Sequence, residues 1–262
     1  MTVAKKILII AIVIFSEPIF GQNIVTDRPD QTESSETVGN KNFQIESGML
    51  FQNSSDNSIN SFYGPSTLLR YGISKNFELR FVSQYESTEL GLDGGNRKYN
   101  GFNDLEVGAK VQLFKKEGVN TEIAFLSHLI IPTAKAGITT GNIGVINKFA
   151  ISHTISKKVG IGYNIGYDLV SERSSFTYSL VLGISISEVV GIYVEPYGSW
   201  AEQNQFESNL DTGLTFLVNP NFQMDVSYGI GINQAMEYVS AGFSWKIHKL
   251  FSKINPETIQ NY

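Results

Sequence analysis

Three histidines, His128, His153 and His248, and no cysteine limit the chemistry open to this 262-residue chain. No histidine stands at metal-ligand spacing from another or from a carboxylate cluster, and without cysteine there is no thiolate metal site, disulfide, thiol nucleophile or lipidated cysteine. No metal or cofactor is expected. Ser127 and His128 are neighbours, and in an extended chain neighbours point to opposite faces, so they cannot act as nucleophile and base. His128 could pair with a residue of another strand, but a histidine on a polar face is the simpler reading. Gly160, Gly162 and Gly166 resemble a dinucleotide fingerprint only as text, because no helix follows them. Glycine there relieves crowding instead. The chain is not expected to be an enzyme.

The residues left to do chemistry are charged, and they fall on one phase of a two-residue alternation. Glu46, Arg70, Glu78, Arg80, Asp104, Glu106, Lys110, Glu122, Asp168, Glu195, Asp211 and Asp225 all oppose apolar neighbours. Such alternation is the signature of strands with one apolar and one polar face. The clearest run sets Val159, Ile161, Tyr163, Ile165, Tyr167 and Leu169 against Gly160, Gly162, Asn164, Gly166 and Asp168. Twelve runs can be laid out between residues 43 and 247, with ten or fourteen left open because the sixth run and residues 53–66 are ambiguous. In the fifth run Leu126 and Ile130 blur the pattern. The apolar phases hold about 60 residues, of which about ten should be charged if placement were random; none is.

Composition agrees with strands. The chain has 24 Gly, 17 Phe and 12 Tyr with 17% charged residues, rich in what pleated surfaces use. A net charge of −5 gives no attraction to phosphate backbones, which argues against nucleic acid as a partner.

Residues 1–21 read as a signal peptide: Lys5 and Lys6 precede the apolar run Ile7 to Phe15. That run is about half of the roughly 20 residues that a membrane anchor needs. With no longer apolar stretch, a mature chain embedded in a membrane must be a closed barrel, since only helices and closed barrels satisfy their backbone in lipid. The expected organisation is therefore a signal peptide (1–21), a periplasmic N-terminal segment (22–42), an all-β, transmembrane up-and-down antiparallel barrel of about 12 strands (43–247) and a periplasmic C-terminal tail (248–262). Tight connections such as Ser74 to Asn76, Ser156 to Lys158 and Ser187-Glu188 alternate with long ones at 87–101, 133–142 and 201–207, as in outer-membrane barrels. Aromatic residues cluster near both strand ends, Phe216, Phe222 and Trp245 at one and Tyr167, Phe176 and Trp200 at the other. A soluble β-sandwich or lipocalin-like barrel also alternates, but it would have to pack all these Phe, Tyr and Leu side chains inward.

The segment Thr26-Asp27-Arg28-Pro29-Asp30-Gln31-Thr32-Glu33-Ser34, followed by Phe43-Gln44-Ile45-Glu46-Ser47-Gly48, resembles the start of an outer-membrane protein family labelled as transporters of the phenol-degradation meta-pathway. The resemblance implies outer-membrane location and a transport role, and brings no catalytic or binding residues with it. Asp27, Arg28, Pro29 and Asp30 carry the motif. They form either a polar linker or a functional segment whose Arg28 and Asp30 enter the barrel mouth and pair with lumen charges. In one respect the chain departs from the pattern: it continues past Trp245, so a C-terminal insertion signal would be internal.

The functional expectation is a channel or transporter for small molecules, hydrophobic or aromatic ones being suggested only by the family label. Its partners would be outer-membrane lipid, a small-molecule solute and the barrel-insertion machinery. The alternative is a closed structural or partner-binding barrel without transport. Ten acids against five bases on the polar phase, the bases being Arg70, Arg80, Lys110, Lys148 and Lys246, predict that the bases pair while the surplus acids stay hydrated, giving a weakly cation-favouring or neutral-solute lumen.

Overall fold

The computed structural model describes residues 24–54, 59–91, 95–201 and 205–250. The expected signal peptide and residues 251–262 of the expected tail lie outside them. The strands are β1 (Phe43–Asn53), β2 (Ile59–Gly72), β3 (Phe77–Leu90), β4 (Arg97–Phe102), β5 (Leu105–Lys115), β6 (Thr121–Ile131), β7 (Gly144–Thr154), β8 (Val159–Val170), β9 (Arg173–Ser185), β10 (Val190–Ala201), β11 (Gln205–Asn219), β12 (Phe222–Gly231) and β13 (Glu237–Ile247). Among the described residues there is no helix.

Every pairing is antiparallel between neighbours, and β1 pairs with β13 from Phe43↔Ile247 to Asn53↔Glu237, closing the ring. Both β4 and β5 pair with β3, so together they form one broken strand and the barrel has twelve staves. Closure of β1 on β13 pairs both outer edges of the ring of staves, as lipid requires, while β4 pairs with β3 alone.

The two-residue period decides which side chain faces where. Leu214, Val226, Met224 and Phe216 stand outward and exposed, whereas Gln44, Glu46, Arg70, Glu78 and Lys110 are buried inside. This inverts a soluble barrel and matches a wall between lipid and a polar lumen. Aromatic side chains project outward near both ends, with Phe216 and Trp245 at one and Phe176 and Trp200 at the other.

At the tight-turn end, serine hydroxyls accept backbone amides two or three residues on. Ser156 Oγ receives Lys158 N at 3.2 Å and Val159 N at 3.1 Å, and Ser187 Oγ receives Val189 N at 3.3 Å and Val190 N at 3.0 Å. Such serines stabilise short turns by mimicking a backbone acceptor.

The stretch 87–101 corrects a sequence expectation. Most of it is strand, because β3 runs on to Leu90 and pairs with β4 through Tyr85↔Phe102 to Leu90↔Arg97. Its Ser, Thr, Glu and Asn residues extend the hairpin beyond the apolar belt, where alternation no longer has a hydrophobic face to mark it. Of the ambiguous stretch 53–66, Ile59 to Ser66 form the first half of β2, broken by a register shift between Tyr63 and Ser66 opposite one between Gly48 and Leu50.

Candidate functional site

Residues 24–42 fold into the lumen. Both ends of this segment are tied at the tight-turn end, by Ile24 N to Pro220 O at 2.8 Å and by Lys41 N to Gly72 O at 2.7 Å. Between these ties the chain rises among the inward side chains. Irregular backbone inside a barrel must find partners for its amides, and wall side chains supply them. Asp27 N donates to Glu46 Oε2 at 2.8 Å, Gln31 N to Glu195 Oε2 at 2.6 Å, Glu33 N to Asn164 Oδ1 at 2.7 Å and Val38 N to Glu78 Oε2 at 2.7 Å. Four staves thus read the backbone of the segment.

An ion network joins it to β2, β3 and β5. The Asp27 carboxylate lies 3.2 Å from Arg70, 2.7 Å from Arg80 and 2.9 Å from Lys110. Arg70 also meets Glu46 and Glu78, each at 2.9 Å, and Arg80 meets Glu78 at 3.0 Å and Glu33 at 2.6 Å. Burial alone would raise the Asp27 carboxyl, but Arg70, Lys110 and Arg80 hold it well below the usual carboxylate range. Groups this deeply buried must be paired to be tolerated, and breaking such a pair is costly.

Arg28 points the other way. Its guanidinium binds Asp225 at 3.0 Å and Ser240 Oγ at 3.3 Å, lying against Gly48 and Gly242, which face each other across the β1–β13 seam. A Cβ on either glycine would sit 2.4 Å from Arg28 Nη2, so the cradle needs both positions bare. Pro29 is buried beside it.

The next residues meet acids. Glu195 and Asp211 stand opposite each other in the β10–β11 register, 0% and 1% exposed. Thr32 Oγ1 donates to Glu195, and the Tyr238 hydroxyl donates to Asp211. Asp30 is half-buried beside them. Burial and the Glu195 charge push the Asp30 carboxyl well above the usual carboxylate range.

The remaining expected residues are more dispersed. Glu106 accepts from His128 Nδ1 at 3.0 Å, and His128 Nε2 accepts from Arg80 Nε at 2.9 Å. Ser127 lies on the opposite face and binds Asn147 at 2.9 Å. Asp168 keeps one buried oxygen without a hydrogen-bond partner. Glu122 sits low on β6, 3.0 Å from Lys115. Asp104 occupies the break between β4 and β5, where it accepts from Ala134 N at 2.8 Å and from Thr140 N and Oγ1 at 2.7 Å, pinning the β6–β7 loop. Although burial opposes it, these hydrogen bonds hold the Asp104 carboxyl below its usual range.

The expectation of hydrated surplus acids is corrected here. Glu195 and Asp211, without an ion pair among the described residues, are 0% and 1% exposed, because the segment and Tyr238 bring them donors in place of water, whereas Glu46 and Glu78 pair with Arg70 as expected. His128 stands on the polar, inward face as expected, whereas Tyr193, Tyr197 and Tyr238 were not singled out as lumen partners, although the two β10 tyrosines already share the polar phase with Glu195. No group of three or more metal-ligating side chains is present among the described residues.

A cavity lies on each side of the segment. The turn-side one, about 480 Å³, runs over Gly160, Gly162, Gly183 and Gly191. The loop-side one, about 450 Å³, is walled by Leu50, Leu68, Val82, Leu126 and Ile146 together with Arg80, His128 and Lys148. The inward Leu126 that blurred the fifth run therefore lines a cavity.

The sequence pattern of the family described as "Putative MetA-pathway of phenol degradation" matches residues 26–247, from the lumen segment to the last stave. The chain belongs to this family. No curated protein matches it in sequence. Among solved structures it is similar to the COG4313 outer membrane channel from Pseudomonas putida F1, at 14% identity and a TM-score of 0.66, over 85% of this chain and 100% of that one. It is also similar to the KdgM porin in complex with disordered oligogalacturonate, at 11% identity and 0.55, over 78% and 99%. The NanC porin aligns at 9% identity and 0.54, over 78% and 100%. At these identities the likeness concerns the fold, an outer-membrane type of barrel.

Proposed function

We propose that this family member is an outer-membrane channel for small solutes whose lumen is occupied by its own N-terminal segment, and that solute passes when that segment shifts. The observation that carries this reading is a cavity on each side of one ordered segment, inside a wall that is apolar outside and polar within. A barrel kept only for structure has no need of vestibules on both faces of its filling. The names of similar barrels, a channel and two porins, support a conduit and give no support to an enzyme. His128 is engaged by Arg80 and Glu106, away from Ser127, so these two neighbours form no nucleophile–base pair.

The inward Leu50, Leu68, Val82, Leu126 and Ile146 favour a solute with an apolar or aromatic body, in keeping with the family description. Outer-membrane lipid around the apolar belt, the insertion machinery that places it and a periplasmic position for the tight-turn end, with both termini, belong to the same reading.

The competing reading is a closed barrel, favoured by the depth of the ion network. Single-channel conductance and liposome swelling of the purified protein decide between them. Current together with uptake of small aromatic solutes is expected. Neither current nor uptake under any condition that releases the segment would leave the closed barrel.

A further inference from the structure

The lumen segment is held by two lobes, one with its acids ion-paired and one without. On the Asp27 side, Arg70, Arg80 and Lys110 interleave with Asp27, Glu33, Glu46 and Glu78. On the Asp30 side, Asp30, Glu195 and Asp211 come together, and among the described residues none of the three forms an ion pair. The cation nearest in sequence, Arg28, is committed to Asp225 of β12. Other groups facing this cluster are acidic or neutral: Glu195, Asp211, Asp27 and Tyr193 beside Asp30, and Tyr197 from β10 and Tyr238 from β13 beside Asp211.

Three carboxylates cannot all remain ionised this close together with no cation, because a buried charge without a partner is too costly. Unsatisfied atoms mark the same place. Asp211 Oδ1 and the hydroxyl of Tyr193, a residue only 6% exposed, are buried without a hydrogen-bond partner. Tyr193 Oη lies over Gly213, two residues from Asp211 on the same face. A proton on one carboxyl supplies a donor where Asp211 Oδ1 has none. Asp30 lines both cavities, so the cluster is open to solvent protons from either side.

We propose that Asp30, Glu195 and Asp211 form a proton-binding site that fastens the lumen segment to β10 and β11, so that the segment is released as pH rises. Protons act here as the ligand that the Asp27 lobe replaces with arginine and lysine. The sign follows from linkage. Once undocked into water, Asp30 has the ordinary carboxylate value of about 3.9 and is ionised near neutrality. The docked state therefore holds more protons than the undocked state, and docking weakens by about tenfold per pH unit for each proton released. Because Glu195 also accepts Gln31 N and Thr32 Oγ1, loss of the shared proton acts where the segment backbone is gripped. The proposal rests on the segment being the movable part of the channel, but its test does not need current.

The chain has no cysteine, so Ser35→Cys places one reporter thiol on the segment at a residue 2% exposed. The full mature chain in lipid vesicles is labelled with a charged maleimide from about pH 5.5 to about pH 8.5, each rate divided by that of the unfolded protein to remove thiol ionisation. The corrected rate is expected to rise at least about tenfold across the range in the Ser35→Cys parent. Adding Asp30→Asn lowers that slope and Asp30→Glu restores it. A flat parent profile, or an unchanged slope in both Asp30→Asn and Asp211→Asn, overturns the proposal. Replacing sodium by a bulky organic cation at constant pH distinguishes a bound alkali ion: a change as large as that produced by pH overturns it. Should the variants fail to fold, the infrared spectrum of the unaltered protein still decides, because the proposal requires a protonated-carboxyl band at neutral pH that disappears on alkalinisation. A barrel that shows this profile and conducts nothing would retain the proton site and lose the channel.

Discussion

Asp27 and Asp30 belong to one short lumen segment and sit in different electrostatic surroundings: Arg70, Lys110 and Arg80 hold the Asp27 carboxyl well below the usual carboxylate range despite its burial, and burial with the Glu195 charge pushes the Asp30 carboxyl well above it. The two lobes give docking two pH limits. A carboxyl held below its ordinary value contributes stability above about pH 3.9, lost as pH falls through the depressed value. A carboxyl held above its ordinary value contributes until pH climbs through the raised one.

Asp27→Ala should free the segment rather than merely trim it. It removes the carboxylate that Arg70, Arg80 and Lys110 share and leaves Lys110 with Glu33 at 3.5 Å, a change that costs about 3–5 kcal/mol in comparable buried pairs. The check is cleavage at Glu33 or Glu36 by a glutamate-specific protease added to folded protein. The variant should be cut where the parent resists, and equal resistance would mean that Asp27 does not hold the segment.

The Gly48–Gly242 cradle gives a coupled prediction. Gly242→Val and Arg28→Ala should loosen the segment to a similar extent, since both remove Arg28 from Asp225. Together they should fall short of the sum of their separate effects by about 0.5–3 kcal/mol, the range for residues in contact. Additive effects in the same protease assay would show that the glycines serve another purpose.

Barrel orientation is tested on the outer face. Leu214 is outward on β11 opposite Val226 of β12 and 47% exposed. Leu214→Arg should destabilise the lipid-embedded barrel by about 2–4 kcal/mol, measured by denaturant unfolding in vesicles. A neutral outcome would place that face outside the hydrocarbon.

The barrel was legible in the sequence because the period-two signal is local: each run fixes its own two faces, and the register of β1 with β13 follows from where the runs begin and end. Two features were not. The β3–β4 hairpin extends beyond the apolar belt, so nothing there selects apolar residues on alternate positions. The lumen partners of the segment come from strands far apart in the chain, as with Arg28 and Asp225 or Thr32 and Ser179. Twelve staves determine such pairs only once they have closed. Even so, the inward phase of Leu126 and of Tyr193 was visible as an exception to polar-in patterning, and both turn out to face the lumen against the segment or its cavities.

Solute is expected to pass when the lumen segment moves. Ser35 Oγ and Ser152 Oγ stand 2.6 Å apart, one on the segment and one on β7, in a chain without cysteine. Ser35→Cys with Ser152→Cys therefore allows a single disulfide that ties the segment to the wall. In planar bilayers the oxidised protein should conduct little, and reduction should restore the conductance of the parent. Equal conductance before and after reduction, with the disulfide verified, would contradict the account.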